Sequence, residues 1–377
     1  TRGDPVLALR GRPASRRVAR RRAVPTAEVA VSRRECEIRG RTLNLNRPSG
    51  HPWSTDMEPN WLANDDYRII NADCVPTLHD VPAASVDLAI FSPPFSSLYA
   101  YTSSAADMGN SRESDDEFLL HYDFFARALA PTIKPGRNVC VHLQQVSRFK
   151  SHHGFMGLFD IRGAVIRITE AAGLRYYGDV TIDKCPQAQA IRTKSHALTF
   201  TQFEKDSSVS RPALADYLLI FKAPGANAEP IRPEVTRDEW IAYARPIWSE
   251  VPTPLPDDFV YGLDAMRDRG ESMPVWRDIK ETDTLNTAAA TSVNDERHVC
   301  PLQLPLIERV IKLWSNKGDV VLSPFMGVGS EGYKALELYR RFYGIELNPR
   351  YFMVAERNLN RVLDARGRQA SLFGGDL

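Results

Sequence analysis

The sequence predicts an α/β fold with a mostly parallel, twisted sheet that carries helices on its faces. Short apolar runs, too brief for helices, alternate with amphipathic segments along most of the chain. Residues 319–346 add a second observation, because an apolar run, a Gly-x-Gly turn, a helix and another apolar run follow one another there. That succession is typical of two parallel strands joined by a crossover helix.

The composition is that of a globular protein with a sizeable core. The chain has 377 residues, of which 43% are hydrophobic, enough for one large domain or two ordinary ones. Its formal net charge is +1, so the location of the basic residues matters more than their number. No apolar run approaches the roughly 18 residues that a membrane span needs, and no secretory signal is visible.

The cysteines indicate a reducing compartment. They are scattered along the chain without a Cys-x-x-Cys pair: Cys36, Cys74, Cys140, Cys185 and Cys300. An odd, dispersed set favours free thiols and indicates no metal site. We therefore expect a cytoplasmic protein without a bound metal.

Residues 1–60 form an arginine-rich segment with few large apolar residues. One interpretation is a basic arm attracted to phosphate. The other, which we favour, is a solvated and poorly ordered extension. Globular patterning begins at about residue 61 and continues to 225.

The first globular elements lead into residues 87–95. Residues 67–70 are predicted to form a strand, and Asp73 follows it as either a ligand acceptor or a turn residue. Residues 87–91 are an apolar run that reads as a buried strand. Pro93 and Pro94 end that strand, because neither can donate to a ladder.

Ser92 is thereby predicted to lie at the carboxyl end of a sheet strand, where open α/β sheets bind ligands. The two prolines fix the directions of nearby carbonyl groups, and Phe95 adds an aromatic plane. A flat ring with an exocyclic amino group would fit this corner. The alternative is an ordinary strand end with a Pro-Pro turn.

The middle of the chain continues the alternation. Residues 96–112 are predicted to be a mobile lid. A capping box at Ser114 precedes a predicted helix over 118–129. The segment from Lys134 to Gly136 is expected to end that helix. Further predicted elements are a strand over 138–143, a helix over 161–172 and strands over 176–182 and 217–221.

The loop over 183–211 mixes basic and aromatic residues. Phe200 and Phe203 stand among Lys184, Arg192, Lys194, Lys205 and Arg211. Such a mixture suits a nucleic-acid backbone, although a solvated surface loop is the alternative. Residues 226–295 are Pro-rich and irregular, and we predict an inserted module with a small core of its own.

The carboxyl-terminal part, residues 296–365, returns to a regular pattern, and a tail over 366–377 follows it. Helices are predicted over 306–314, 330–340 and 350–363, with strands over 319–322 and 342–345. Gly327 and Gly329 allow a tight turn and close approach to a ligand. Glu346, about 20 residues after the glycines, is placed to accept the hydroxyls of a ribose. The incomplete dinucleotide pattern favours S-adenosylmethionine over NAD.

Taken together, these motifs make the sequence resemble the amino-DNA methyltransferases, closest to phage- and prophage-type members. Ser92, Pro93, Pro94 and Phe95 resemble their catalytic tetrapeptide, and residues 324–330 resemble their cofactor loop. The catalytic motif precedes the cofactor motif, as in the β class. The resemblance covers about 65–362 and implies a Rossmann-like S-adenosylmethionine-dependent methyltransferase fold with permuted motif order.

The resemblance also implies roles for parts and residues. Residues 61–225 become the catalytic half, 226–295 a small inserted DNA-recognition region and 296–365 the cofactor-binding half. The implied DNA-binding residues are the five basic residues of the 183–211 loop. The implied cofactor-binding residues are Asp73, His298, Pro301, Leu302, Ser323, Pro324, Phe325, Gly327, Gly329, Ser330 and Glu346.

Two positions depart from the commonest family pattern. Ser323 stands where the cofactor loop usually begins with Asp, so Asp73 becomes a candidate to help hold the cofactor's amino group. Ser92 in the tetrapeptide resembles cytosine-N4 enzymes, whereas Asp there resembles adenine-N6 enzymes. Ser92 and the Pro93 carbonyl would accept the N–H bonds of a flipped-out base, and the methyl group would transfer directly.

We therefore expect a site-specific DNA methyltransferase acting on cytosine N4. The alternatives are adenine N6 on the same fold, and a DNA-binding protein that has lost catalysis. A nucleotide-dependent oxidoreductase is disfavoured, because that function would not explain the Ser-Pro-Pro-Phe tetrapeptide. Expected partners are double-stranded DNA and a cognate restriction endonuclease, and no membrane association is expected. We expect a monomer or homodimer in the cytoplasm of a bacterial or phage-infected cell.

Overall fold

The structure is a computed structural model. It describes residues 36–38, 41–43, 60–94, 102, 104, 106–110, 115–148, 150, 154–184, 186, 189–190, 195–251, 276–280, 283–285 and 301–372. The chain divides into two compact units, Thr1–Pro52 and Trp53–Leu377. In the first unit, β1 (Cys36–Ile38) pairs antiparallel with β2 (Arg41–Leu43). Most of the predicted arginine-rich extension lies outside the described residues.

The second unit contains the remaining described strands. They are β3 (Asn60–Ala63), β4 (Tyr67–Asn71), β5 (Val86–Phe91), β6 (Ile133–Gln144), β7 (Val146–Arg148), β8 (Gly157–Phe159), β9 (Arg175–Asp183), β10 (Asp216–Lys222), β11 (Ile247–Val251), β12 (Trp276–Lys280), β13 (Val320–Ser323) and β14 (Arg341–Glu346). Its helices are α1 (Cys74–Asp80), α2 (Asp115–Leu129), α3 (Ile161–Ala171), α4 (Phe200–Lys205), α5 (Arg237–Tyr243), α6 (Leu304–Trp314), α7 (Ser330–Glu337) and α8 (Pro349–Leu372).

Ten of the described strands form one sheet in the order β12-β11-β9-β10-β6-β5-β13-β14-β4-β3. Within it, β10 pairs antiparallel with both β6 and β9, and β3 pairs antiparallel with β4. The other pairs are parallel. The predicted mostly parallel sheet is therefore confirmed.

The sheet changes its direction of winding between β5 and β13. From β13 the chain crosses through α7 to β14 on one side, and from β5 it crosses through α2 to β6 on the other side. The two strands are direct neighbours, with Val321 opposite Leu88 and Leu322 opposite Ala89. Because ligands of open α/β sheets bind at such a switch point, the carboxyl ends of β5 and β13 are the expected binding position.

Helices cover both faces of the sheet, because successive strand residues point to opposite sides. In β5, Ala89 and Phe91 pack with α1, α2 and α3, while Leu88 and Ile90 pack with α6, α7 and α8. All six residues of β5 are buried, as expected for a central parallel strand. Among the described helices, none combines the length and apolarity needed to cross a bilayer.

Two predicted boundaries differ from the observed ones. Helix α2 ends at Leu129, before Pro131, and the predicted break at Lys134 to Gly136 lies inside β6. After Leu129 the chain continues as a single 3-10 turn over Ala130–Thr132, because Pro131 lacks the N–H that would continue the α-helix. Helix α8 runs to Leu372, so the predicted tail from 366 begins within a helix.

Within residues 226–295, the described strands belong to the main sheet, and a separate core in this region stays a prediction. Strand β11 pairs in parallel with β9, and β12 pairs with β11, so both extend the main sheet. The irregular, Pro-rich composition did not indicate these two short strands, which pair within the main sheet. Whether this region recognises DNA stays a prediction.

A buried ion cluster joins the start of β5 to β6 and β13. The Arg137 side chain is 1% exposed, and its guanidinium lies 2.9 Å from Asp319 and 3.3 Å from Asp87. The Asp87 Oδ2 also accepts a hydrogen bond from the backbone N–H of Val320 at 2.9 Å. Asp87, which opens the motif over 87–95, thus has a structural position far from the strand's carboxyl end.

We predict that Asp319→Ala destabilises the protein by about 3–5 kcal/mol, because it leaves the buried Arg137 charge without its nearest partner. Urea unfolding followed by circular dichroism measures the loss. Asp123→Ala is the matched control, since its ion pair with Arg127 is exposed and should contribute less than about 1 kcal/mol. Equal unfolding midpoints for the two variants would contradict this assignment.

Candidate active site

A cleft lies at the switch point, at the carboxyl ends of β5, β13 and β14. Ser92, Pro93 and Pro94 form one wall directly after β5, and the turn after β13 forms the opposite wall. The predicted acceptor corner and the predicted nucleoside turn therefore face the same cleft. The further lining residues are Ala72, Asp73, Cys74, Thr102, Ala106, Asp107, Met108, Pro301, Leu302, Pro324, Phe325, Met326, Gly327, Val328, Ser330, Glu331, Glu346, Leu347 and Tyr351.

Ser92 is held by a side-chain network that extends away from the cleft. Its Oγ lies 3.3 Å from Nδ1 of His142 on β6. The other ring nitrogen of His142, Nε2, lies 3.1 Å from Oδ2 of Asp216 at the start of β10. His142 and Asp216 are both buried. The antiparallel register of β6 and β10, which sets Asp216 opposite Gln144, brings these side chains together.

Asp216 is the charged end of this network. Burial alone would raise the pKa of Asp216, but the Lys184 ammonium and His142 outweigh it and lower the pKa to about 2. The Lys184 Nζ lies 2.8 Å from Oδ2, and the Gln144 amide donates to Oδ1 at 2.8 Å. In the tautomer whose Nε2–H donates to the ionised Asp216, Nδ1 of His142 can accept from the Ser92 hydroxyl.

This geometry corrects one predicted DNA contact. Lys184 was expected to bind phosphate, but its side chain is only 4% exposed and it pairs with Asp216. The pairing explains the difference, because a buried carboxylate next to His142 requires a compensating cation. Lys184 therefore belongs to the interior of the site.

The turn after β13 is shaped by its two glycines. Gly327 and Gly329 have φ of +53° and +87°, which L side chains rarely adopt. A Cβ at Gly329 would also lie 3.1 Å from the Cβ of Ala355 on α8. A Cβ at Gly327 would meet no protein atom within 4 Å, so this position leaves room for a ligand. Phe325 anchors the turn by packing on Phe125, with ring centroids 4.8 Å apart.

Glu346 ends β14 at the floor of the cleft and is bonded to the glycine turn. Its Oε2 accepts from the Gly327 N–H at 2.8 Å, and its Oε1 accepts from the Asn348 N–H at 2.7 Å. Burial raises the pKa of Glu346 to about 7, and the nearby Asp107 carboxylate adds to the shift. A carboxylate oxygen has two lone pairs, so each can still accept a hydroxyl from a ligand.

The buried hydroxyls of the turn have different positions. Ser330 lines the cleft, and its Oγ has no hydrogen-bond partner among the described residues. Ser323, the last residue of β13, is fully buried and is not among the residues that line the cleft. Its Oγ also has no hydrogen-bond partner among the described residues, and its contact with a ligand stays a prediction.

Of the remaining predicted cofactor residues, Asp73, Pro301 and Leu302 line the cleft. Asp73 also caps α1, since its Oδ1 accepts from the Val75 N–H at 3.0 Å. Gly329 shapes the turn without lining the cleft. His298 and Phe95 lie outside the described residues.

A second pocket lies beside the network and is lined by the end of β9 and the segment that connects β9 to β10. Its rim carries Phe200 and Phe203, which are exposed and stacked with ring centroids 5.9 Å apart. Arg211 lines the pocket, and Lys205 follows Phe203 at the end of α4. The other two predicted DNA-binding residues, Arg192 and Lys194, lie outside the described part of the chain.

Sequence reasoning missed several residues of the main cleft and its network, among them His142, Asp216 and Glu331. For His142 and Asp216 the available signal was a polar side chain inside or beside an otherwise apolar run, as with His142 between Val141 and Leu143. Their meeting depends on strand order, which single runs do not reveal. Asp107, buried in the predicted lid, was missed as well.

Comparison with known proteins finds DNA methyltransferases that are similar to short stretches of this chain. The type II methyltransferase M.BglI of Bacillus subtilis is 40% identical over 78 residues, and the DNA adenine methyltransferase YhdJ of Escherichia coli strain K12 is 41% identical over 68 residues. These matches cover 21% and 18% of this chain, and 22% and 23% of the relatives. The match thus spans less than a quarter of the length of these two relatives.

Solved structures resemble a larger part of the chain. A Thermus thermophilus protein named as a candidate DNA modification methylase, complexed with S-adenosyl-L-methionine, has a TM-score of 0.53 at 20% identity, over 77% of this chain and 92% of that one. The cytosine-N4-specific PvuII DNA methyltransferase has a TM-score of 0.50 at 15% identity, over 81% and 92%. These likenesses confirm the predicted Rossmann-like fold.

The family itself is shown by a match over most of the sequence. Residues 86–357, which include the Ser92 corner, the His142 network, the glycine turn and Glu346, correspond to the N6/N4 methyltransferases, a family of DNA methylases. The resemblance to amino-DNA methyltransferases is thereby confirmed, while the closeness to phage and prophage members stays a prediction. This chain belongs to the N6/N4 methyltransferase family of DNA methylases.

Proposed function

We propose that this protein is an S-adenosylmethionine-dependent DNA methyltransferase that modifies an exocyclic amino group of a base, with cytosine N4 as the preferred target. The observation that carries the proposal is the shared cleft: Ser92 and the prolines face the glycine turn and Glu346 from the adjacent strand. Family membership supports the same reaction class.

The turn and floor of the cleft suit the proposed cofactor. Glu346 is placed for ribose hydroxyls, Gly327 leaves space beside the backbone, and the unpartnered Ser330 hydroxyl can bond a polar ligand atom. When bound, S-adenosylmethionine supplies an electrophilic methyl group on a sulfonium. The residues of the chain would hold this group and place the amine next to it.

Ser92 and the Pro93 carbonyl are proposed to accept the two N–H bonds of the target amine. An amine conjugated with its ring is a poor nucleophile, and acceptors placed where positive charge develops would favour a tetrahedral nitrogen. The base must leave the duplex to reach this corner. Stacking by Phe95 stays a prediction, because that residue lies outside the described part of the chain.

His142 and Asp216 are proposed to orient Ser92. A serine hydroxyl has one proton and two lone pairs, so donating the proton to His142 Nδ1 turns the lone pairs towards an incoming amine. Asp216, held ionised by Lys184, keeps the ring in the required tautomer. His142 would then act as a positioning residue.

We predict that His142→Phe lowers kcat about tenfold, since it removes one hydrogen bond that directs Ser92. His142→Asn, whose amide can still accept, should recover part of the loss. Calorimetric affinity for S-adenosylmethionine distinguishes positioning from folding, because a merely structural role would weaken cofactor binding as well as lower kcat. Unchanged kcat in both variants would contradict the role.

The choice of base depends on Ser92, and the relatives include both kinds. PvuII methyltransferase is cytosine-N4-specific and YhdJ is an adenine methyltransferase. We favour cytosine because Ser92 resembles the tetrapeptide of cytosine-N4 enzymes. Adenine N6 is the second candidate on the same fold.

Double-stranded DNA is the proposed partner. The exposed Phe200 and Phe203 offer a stacking surface, and Lys205 and Arg211 offer positive charge next to it. Contacts by Arg192, Lys194 and the 226–295 region belong to the same proposal. A cognate restriction endonuclease, and a monomer or homodimer, stay predictions.

The function is tested by incubating the purified chain with isotope-labelled S-adenosylmethionine and mixed-sequence duplex DNA, followed by nuclease digestion and mass spectrometry. We expect labelled N4-methyldeoxycytidine. Labelled N6-methyldeoxyadenosine would establish the second candidate. No label in any nucleoside, from protein that still binds DNA, would indicate a catalytically inactive DNA-binding protein.

A further inference from the structure

The cleft contains a buried acid that the proposed chemistry does not use. Glu331 lies in the first turn of α7, directly after Ser330, and lines the cleft while only 4% exposed. Its carboxyl group has no ion pair and no hydrogen bond to another side chain among the described residues; its own backbone N–H is its hydrogen-bond partner. An uncompensated buried carboxylate is costly, so this position favours either a proton or a cationic ligand.

The charges around Glu331 agree with that requirement. Burial raises the pKa of Glu331 to about 8, and the charge of Glu346 adds to the shift. A proton therefore neutralises the group in the unliganded protein at neutral pH. A cation entering the cleft could replace this proton and pair with the carboxylate.

This inference rests on the proposed function, because it takes S-adenosylmethionine as the ligand. S-adenosylmethionine carries two positive groups, a sulfonium and an α-ammonium. Its sulfonium has no N–H donor, whereas its α-ammonium has three. A buried carboxylate requires hydrogen-bond donors for its remaining lone pairs as well as a counter-charge. The α-ammonium provides both a counter-charge and hydrogen-bond donors, whereas the sulfonium provides only a counter-charge.

Other residues of the cleft are less suitable. Ser323, at the position where the resemblance expects an acid, is neutral and is not among the residues that line the cleft. Asp107 lines the cleft, but it already accepts from the backbone N–H groups of Thr102 and Gly109. Asp73 is half-buried, and one of its oxygens already caps α1. Glu346 bonds the backbone N–H groups of Gly327 and Asn348.

We propose that Glu331 binds the α-ammonium group of S-adenosylmethionine and thereby supplies the acid that Ser323 lacks. The carboxylate lies beside the glycine turn and opposite the Ser92 corner. Anchoring the amino-acid end there would leave the methyl group free to face the target amine. Glu331 is thus a cofactor-binding residue that no motif in the sequence indicates.

Calorimetric binding to Glu331→Gln tests the assignment with three ligands. S-adenosylmethionine has both charges, S-adenosylhomocysteine keeps the ammonium but has a neutral sulfur, and 5′-methylthioadenosine lacks the amino-acid part. We expect about 10- to 100-fold weaker binding of the first two, as for loss of a hydrogen bond between charged groups. Binding of 5′-methylthioadenosine should not change, because the nucleoside contacts remain.

Two control variants sharpen the comparison. Glu337→Gln removes an exposed acid from the same helix and should bind all three ligands normally. Asp73→Asn preserves the cap of α1, since Asn caps helices as well as Asp does, and should weaken S-adenosylmethionine less than Glu331→Gln. Glutamine matches the shape of a protonated glutamic acid, so the Glu331 variant should fold normally.

Different outcomes overturn different claims. Unchanged S-adenosylmethionine affinity in Glu331→Gln would overturn the role of Glu331 while leaving the proposed function intact. A loss confined to S-adenosylmethionine would assign Glu331 to the sulfonium instead, and equal loss for all three ligands would indicate a structural role. Failure of the unaltered protein to bind S-adenosylmethionine would contradict the proposed function itself.

Discussion

Ser92→Ala should lower kcat about 100- to 1000-fold while leaving the Kd for S-adenosylmethionine unchanged, as for loss of one acceptor or donor that acts mainly in the transition state. The side chain lies at the end of β5 on the wall facing the glycine turn, and its other contact is with His142. Removing the hydroxyl takes away an acceptor for the target amine without touching the cofactor wall. Single-turnover kinetics and calorimetry measure the two quantities separately.

Ser85→Ala is the matched control for this variant. Ser85 immediately precedes β5, at the end opposite Ser92, and its hydroxyl bonds the Pro82 carbonyl. Its removal should leave kcat unchanged. Equal loss of turnover and cofactor affinity in Ser92→Ala would show that Ser92 supports the cleft as a whole and does not act on the amine.

Glu346→Ala should weaken S-adenosylmethionine binding about 100-fold or more, because two charge-assisted hydrogen bonds to ribose hydroxyls would be lost. The same variant frees the Gly327 N–H, so part of the loss comes from the turn. Glu346→Gln separates the two effects, since its amide oxygen can still accept from Gly327 but carries no charge. We expect intermediate affinity for Glu346→Gln, measured by calorimetry alongside thermal stability.

The pH dependence gives a second measurement on the same group. Burial raises the pKa of Glu346 to about 7 in the free protein, whereas ribose hydroxyls bond best to the ionised form. Cofactor affinity should therefore rise as pH increases through about 7. It should rise further through about 8, because Glu331, with a pKa of about 8, is proposed to bind the cofactor as a carboxylate; binding below these pH values should release protons. Glu346→Gln should weaken this dependence. Wild-type affinity for both Glu346 variants would contradict the ribose assignment.

The local elements of the fold could be predicted because each is encoded by neighbouring residues. Pro93 and Pro94 end β5 where the sequence indicates, and Gly327 and Gly329 have the positive φ values that the Gly-x-Gly turn requires. The position of Glu346 at the end of β14 also follows from spacing alone. Fold class and the main cleft therefore came from short-range information and the family resemblance.

The rest depended on long-range pairing, which single segments do not encode. Asp216 reaches His142 because β10 lies antiparallel to β6, and the same contact buries Lys184 that looked like a surface cation. Strands β11 and β12 join the main sheet although their region looked like a separate module. The sequence gives no sign that Glu331 binds a ligand. Acidic residues are common in the first turn of helices, because they interact favourably with the helix dipole.

The most direct test of the account is a crystal structure of the protein with bound S-adenosylmethionine. A hydrogen bond of about 3 Å from acceptor to amine and a near-attack distance of about 3–3.5 Å together place the methyl carbon no farther than about 6–7 Å from Ser92 Oγ. We predict the ribose on Glu346 and the methyl group within that distance, pointing at Ser92. A nucleoside bound elsewhere, or a methyl group directed away from Ser92, would contradict the account.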